Sequence, residues 1–416
     1  MSKTYVINPH GLLNGEVNIS GSKNCALCLI ACSLLVKGKT ILRNIPKIKD
    51  IEMFVKILNY LNVKTEFFNN VLTIDTSNIE YKDLLIDEVK QFRASYYLIG
   101  GLITRFKHLK INQSGGCNFV YRPINFHLDF FNYVGVKSLV TNDELTFDYI
   151  ENEKDEYTLP YPSFGATINA LLFAISSNRK ITLKNLCTEI EIYHVVKMLK
   201  KMGANILFDK SNAYIEPSEL YPIDYENIPD RIETGTFLLM GPTICSSLKI
   251  NKINPLHNKH ILDLFSLLDI DYELGDDYVV LKKTDINKSC FIETGIGDCF
   301  SSDLQPLLTV FCLNIPRISV IKEKVYSSRF THIIPLKKMG ASISEANQNI
   351  LINGIMTLEG KEITCTDLRM SASMIFASLM SKGQTILHQV DYLDRGYENF
   401  VDKLNSLGAD IKVYEE

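Results

Sequence analysis

The sequence predicts a mixed α/β (α+β) chain built from six like units, three to a domain. Two observations carry this. Runs with helical spacing alternate with runs of strand-like spacing over the whole length. One short phrase, a helix end followed by a turn residue and a strand-like run, also returns six times. Its copies are Tyr60-Leu61-Asn62-Val63-Lys64, Tyr133-Val134-Gly135-Val136-Lys137, Lys201-Met202-Gly203-Ala204-Asn205, Leu267-Leu268-Asp269-Ile270-Asp271, Lys338-Met339-Gly340-Ala341-Ser342 and Ser406-Leu407-Gly408-Ala409-Asp410. The turn positions fall roughly 66 to 73 residues apart. A period of that kind marks an array of supersecondary units, and it is longer than the roughly 20–50 residues of a solenoid repeat. Gly, Asn or Asp at the turn suits the left-handed residue that closes a helix.

The first unit sets the pattern. Gly15 to Ser20 alternates like a strand. Ser22 caps a helix running through Ala31 to Leu35, and Gly38 stops it. Lys39 to Leu42 reads as a strand and Ile51 to Leu61 as a second helix. Val63 to Phe67 and Val71 to Ile74 form a hairpin-like pair. The order β-α-β-α-β-β returns most clearly from Tyr157 to Ile215 and from Lys361 to Val413.

Composition narrows the class. A chain of 416 residues is too long for one ordinary core, so two or three domains are expected. Hydrophobic and charged contents of 46% and 22% are those of a soluble globular protein. The net charge of −4 gives no global basic field for nucleic acid or an anionic membrane. The apolar stretch Ala26 to Val36 is too short to span a bilayer, and Lys23-Asn24 ahead of it lacks the order of a signal peptide. A cytoplasmic protein is expected. Its ten cysteines read as free thiols. Cys25, Cys28 and Cys32 fall on one helix face and are expected in the core. His257 and His260 lack a further ligand and are expected in a solvated turn.

The stretch richest in chemistry is Gly115-Gly116-Cys117, followed by Arg122-Pro123. Paired glycines let the backbone bend sharply. A nearby arginine favours the thiolate and can hold a carboxylate or phosphate. Cations recur at unit edges: Lys23-Asn24 at the first helix, Arg93, Arg231, Arg329, Arg369 after Asp367, and Arg395. Such placement is poor for a helix dipole unless an anion docks there. Asp303 precedes an apolar helix, where it serves as a cap or as a base on a hydroxyl.

These residues together resemble the enolpyruvyl transferases, and within them the branch that acts on UDP-N-acetylglucosamine. The resemblance rests on Gly21-Ser22-Lys23-Asn24, Phe92-Arg93-Ala94-Ser95, Gly115-Gly116-Cys117, Ser163-Phe164-Gly165-Ala166-Thr167, Asp230-Arg231-Ile232-Glu233-Thr234-Gly235-Thr236, Ser302-Asp303-Leu304-Gln305, Thr366-Asp367-Leu368-Arg369 and Asp394-Arg395-Gly396-Tyr397-Glu398. They stand in family order along nearly the whole chain.

The resemblance implies two inside-out α/β barrels, each of three βαβαββ units. The first would be residues 23–230, and the second 1–22 with 231–416. The active site would lie in the cleft between them. The implied reaction moves the enolpyruvyl group of phosphoenolpyruvate onto a sugar hydroxyl, without cofactor or metal. Cys117 would donate the proton, and Asp303 would be the base, with Asn24 beside it. Lys23, Arg122 and Arg395 would hold the phosphoenolpyruvate anions. Arg93, Arg329, Asp367 and Arg369 would complete the charged cleft, and Tyr326 would line it. Pro123, Ile124, Asn125, Phe126, Ser163, Phe164 and Gly165 would take the nucleotide sugar. A monomer is implied, with no nucleic acid or membrane partner.

Two positions depart from the family. Asn125 stands where an aspartate usually meets the base, and Tyr161 where a lysine usually precedes the uridine-binding serine. They leave open another nucleotide or nucleoside acceptor, or an idle paralogue that binds a nucleotide sugar.

Overall fold

The structure, a computed structural model, describes residues 2–9, 11–114, 123–297, 299–326, 329–354 and 357–415. Of these, 21–114 with 123–228 form one compact unit, and 2–20 with 229–415 form another. The described residues hold six sheets, three in each unit.

One wiring recurs in the sheets. In the 21–228 unit, Glu156–Thr158 lies parallel to Ile181–Lys184. That strand is antiparallel to Asn212–Glu216, which pairs with Asn205–Asp209. Four other sheets follow the same order. In the remaining one, an isolated parallel bridge from Leu84 to Ile111 stands where the outer parallel strand would be. The six phrase turns close the units as expected. Asn62, Gly135, Gly203, Asp269, Gly340 and Gly408 all have positive φ, between 56° and 107°.

Helices with most of their residues buried fill the middle of each unit. In the 21–228 unit these are Lys23–Ser33, Tyr97–Phe106 and Phe164–Ser176. Cys25, Cys28 and Cys32 lie in the first of them and have no exposed surface. The second and third approach closely at Gly100, where a Cβ would meet the Asn169 carbonyl at 2.6 Å. Asn169 uses the contact: its Oδ1 accepts from the Gly100 N–H at 2.8 Å, and its Nδ2 donates to the Tyr96 carbonyl at 2.9 Å. The central helices of the other unit are Arg231–Ile244, Gln305–Cys312 and Leu368–Met380, and every residue of the first is buried. Outer helices such as Lys49–Tyr60 are amphipathic and turn Ile51, Phe54, Ile57 and Leu58 inward.

The local reading needs three corrections. The strand expected at 15–20 is Leu13–Asn18, and it does not open the first unit. It runs parallel to Cys245–Asn251 in the 229–415 unit, and Asp224–Glu226 takes the place beside Lys39–Arg43. From Lys361 to Val413 the chain supplies three strands of its sheet, and the N-terminal strand Lys3–Asn8 supplies the fourth. Both pairings join distant stretches of chain, which local periodicity does not encode. Lastly, His257 and His260 are not in a solvated turn. His257 is half-buried in the short helical turn Pro255–Asn258 and His260 is half-buried at the start of helix Lys259–Leu267, where its ring and that of Phe300 meet edge to face at 5.1 Å. No helix among the described residues is long and apolar enough to cross a membrane.

Candidate active site

The charged residues of the 229–415 unit gather where its central helices begin. Ser301 caps the short turn Ser302–Leu304 by accepting from the Asp303 N–H at 3.3 Å, so the Asp303 side chain is not the cap. Its carboxylate instead bridges two guanidiniums. Arg329 Nη1 lies 2.8 Å from Oδ1, and Arg369 Nη2 lies 2.6 Å from Oδ2. Burial alone would raise the Asp303 carboxyl. Arg369 and Arg329 together outweigh it and hold the group well below the usual carboxylate range. Both arginines are buried. Such charges persist inside a protein only when paired, and deleting one partner strands the other at a cost of about 3–5 kcal/mol.

A helix start places Arg369, and an aromatic ring supports Arg329. Asp367 caps helix Leu368–Met380, its Oδ1 accepting from the N–H groups of Arg369 at 3.0 Å and Met370 at 2.9 Å. Its Oδ2 accepts from the Thr331 hydroxyl at 2.8 Å. Arg369 also faces the ring of Tyr397, 5.8 Å from its centroid, and the Tyr397 hydroxyl pairs with Thr236 at 2.8 Å. Arg329 lies over the Tyr326 ring at 4.7 Å. Arg395 ends the short helix Val390–Arg395, after Asp394, which pairs with Lys3 at 2.8 Å.

In the 21–228 unit, Ser22 caps helix Lys23–Ser33 through the Cys25 N–H, which puts Lys23 and Asn24 in its first turn. The Lys23 ammonium is 2.6 Å from Asp50, a buried carboxylate on helix Lys49–Tyr60. A second group assembles from three segments. Ser163 caps helix Phe164–Ser176. Phe164 meets Tyr97 at 6.4 Å, and a Cβ on Gly165 would come within 2.9 Å of the His127 ring. Arg93 Nη2 donates to the Pro123 carbonyl at 3.4 Å. Ile124 precedes helix Asn125–Tyr133, whose first residue, Asn125, is exposed. Phe126 stacks on Tyr161 at 5.7 Å with ring planes 19° apart. His127 hydrogen-bonds Asn169 at 2.8 Å, and burial, with Arg93 near, pulls its pKa down to about 3.

The structure thus unites Asp303, Arg329, Arg369 and Tyr326 in one unit. In the other it unites Arg93, Pro123, Phe126, Phe164 and Gly165. Cys117 and Arg122 lie outside the described residues. Of the nine described cysteines only Cys299 is exposed. No group of three or more potential metal ligands occurs among the described residues. The sequence reading missed Asp50 and His127, and it quoted Ser302 and Tyr397 within motifs without giving either a role. Only Asp50 left a trace, as an acid in a first helical turn, and a helix dipole explains that equally well.

Comparison with known proteins identifies the family. The family model for EPSP synthase (3-phosphoshikimate 1-carboxyvinyltransferase) matches residues 7–404. A UDP-N-acetylglucosamine 1-carboxyvinyltransferase from Kosmotoga olearia is 32% identical over 409 residues, 97% of each chain. A UDP-N-acetylglucosamine 1-carboxyvinyltransferase 2 from Staphylococcus aureus is 34% identical over 408 residues, 96% of each. Among solved structures, the enolpyruvyl transferase NikO from Streptomyces tendae superposes with a TM-score of 0.91 at 23% identity, covering 99% of both chains. EPSP synthase from Acinetobacter baumannii gives 0.75 at 14% identity, covering 99% of this chain and all of that one. These two likenesses speak for the fold alone. On the family match and the full-length relatives, this chain belongs to the EPSP synthase family of enolpyruvyl transferases.

Proposed function

We propose that this protein transfers the enolpyruvyl group of phosphoenolpyruvate to the 3-hydroxyl of UDP-N-acetylglucosamine and releases phosphate, the committing step of peptidoglycan synthesis. It acts as a cytoplasmic monomer. The observation that carries this reading is the Asp303 carboxylate, set between two buried arginines where the central helices start. The near-full-length relatives that bear this activity in their names support the acceptor.

The chemistry asks for three kinds of group. The acceptor oxygen adds to C2 of phosphoenolpyruvate while a proton adds to C3, giving a tetrahedral phosphate ketal. Phosphate then leaves C2, and C3 gives up a proton, which restores the double bond. Cys117 donates to C3. Asp303 takes the proton of the acceptor hydroxyl, and Asn24 assists it. Lys23, Arg122 and Arg395 hold the phosphoenolpyruvate anions, and Arg93, Arg329 and Arg369 surround them with positive charge. Asp303 is ionised at any working pH, as a base must be. Its two arginines also make it a weak base until the substrate anion offsets their charge, so base strength rises when substrate binds. In the second half-site, the stacked Phe126 and Tyr161 offer a flat apolar face beside Asn125, suited to a nucleobase.

The test is phosphate release from phosphoenolpyruvate by the purified chain, with UDP-N-acetylglucosamine, UMP, uridine or shikimate as acceptor. Release that depends on UDP-N-acetylglucosamine is expected. Release with another acceptor alone would reassign the acceptor, and release with none would refute the reading.

A further inference from the structure

We propose that Glu323 is the positioning residue for Arg329, acting through the hydroxyl of Ser302. The inference rests on the proposed phosphoenolpyruvate site and names what sets its geometry. Glu323 follows strand Ser319–Lys322 and has no exposed surface. Its Oε1 accepts from the N–H groups of Val325 at 2.8 Å and Tyr326 at 2.9 Å. Both carboxylate oxygens lie 2.9 Å from the Ser302 hydroxyl. The serine hydroxyl has a single proton, and it is donated to Glu323. The serine lone pairs then face Arg329, whose Nη1 donates to them at 2.9 Å. The same Nη1 is the one paired with Asp303.

Glu323 supports Arg329 by a second route. It fixes the backbone of Tyr326, whose carbonyl accepts from the Arg329 N–H at 3.1 Å and whose ring lies beneath the guanidinium. Head, ring platform and backbone of Arg329 therefore trace to one carboxylate. An apolar side chain would fill the same volume without the desolvation cost of a charge, so packing gives no reason for an acid there. Ser302 and Glu323 meet no reacting atom in this account. They act by holding the guanidinium that meets the substrate anion.

The experiment is steady-state kinetics with phosphoenolpyruvate and UDP-N-acetylglucosamine on the full chain and three variants: Glu323→Gln, Ser302→Ala and the double. Each single change is expected to raise the KM for phosphoenolpyruvate about tenfold while the acceptor KM stays within about twofold. The double variant is expected to be no worse than the more impaired single, because both changes cut one relay. A role in folding alone would lower the melting temperature and the active fraction and leave both KM values in place. Ser302→Ala keeps the buried acid and carries the test if Glu323→Gln does not fold. An unchanged phosphoenolpyruvate KM, or effects that multiply in the double variant, would overturn the inference while the parent's activity still supports the functional reading. A parent chain that releases no phosphate would remove both.

Discussion

Asp303 shows what a residue type alone does not declare. In the sequence it is an acid before an apolar helix, equally suited to capping or catalysis. Ser301 takes the capping role, which frees the carboxylate for Arg329 and Arg369. Asp303→Asn keeps the shape and removes the base, so kcat is expected to fall about 10²–10⁴-fold. Full activity in that variant would exclude Asp303 as the base. The cysteines separate by environment in the same way. Burial pushes the thiols of Cys245 and Cys365 up to about 12 and those of Cys28, Cys32 and Cys312 upward too, so none of these is a nucleophile at neutral pH. A phosphonate epoxide that mimics phosphoenolpyruvate is expected to add to Cys117 alone. Peptide mass spectrometry checks this, and an intact Cys117 with saturating acceptor would remove it as the reactive thiol. The catalytic candidates were legible because motifs mark them. Asp50 and Glu323 were not, because an isolated acid in a sequence carries no sign of its depth.

At the scale of elements, the repeat was legible wherever its parts are neighbours in sequence. The segment 157–215 folds in the order its periodicity predicts, since each strand pairs within the segment. The strand Leu13–Asn18 was legible as a strand but not as a partner of Cys245–Asn251, because alternation fixes a face and not a neighbour. The repeat turns make a direct test. Asn62 is exposed with φ of 62°, and its Nδ2 donates to the Asn78 carbonyl at 3.2 Å. A β-branched residue there meets the left-handed penalty, so Asn62→Val is expected to cost about 1–2 kcal/mol in denaturant unfolding. Asn62→Gly is expected to change little. Equal stability of all three chains would mean that the turn does not depend on its conformation.

For the whole molecule, buried histidines set the response to acid. Burial, with Arg93 near His127 and Arg329 near His332, pulls both pKa values down to about 3. The unfolded chain takes up these protons below about pH 6.5. The unfolded state therefore binds more protons over that interval, and stability is present above pH 6.5 and lost as pH falls toward 3. Each histidine contributes about 1.4 kcal/mol per pH unit to that loss. His260, pulled down to about 4 by burial with Arg231 near, acts in the same direction, and Glu233, raised by burial and opposed by Lys403, acts in the other. A thermal midpoint lower at pH 5 than at pH 6.5 is expected, with a shallower fall in His332→Gln. A midpoint that rises toward pH 5 would contradict this.

The central claim is addition of the acceptor hydroxyl across the double bond of phosphoenolpyruvate, followed by loss of phosphate. The direct measurement is the reaction run in D₂O with UDP-N-acetylglucosamine, with the product examined by mass spectrometry and proton NMR. During addition C3 becomes a methyl group that holds one solvent deuterium, and elimination removes one of its three hydrogens. The account predicts a vinyl ether on the sugar with deuterium in its methylene. A vinyl ether free of deuterium, or phosphate and pyruvate with the acceptor unchanged, would contradict it.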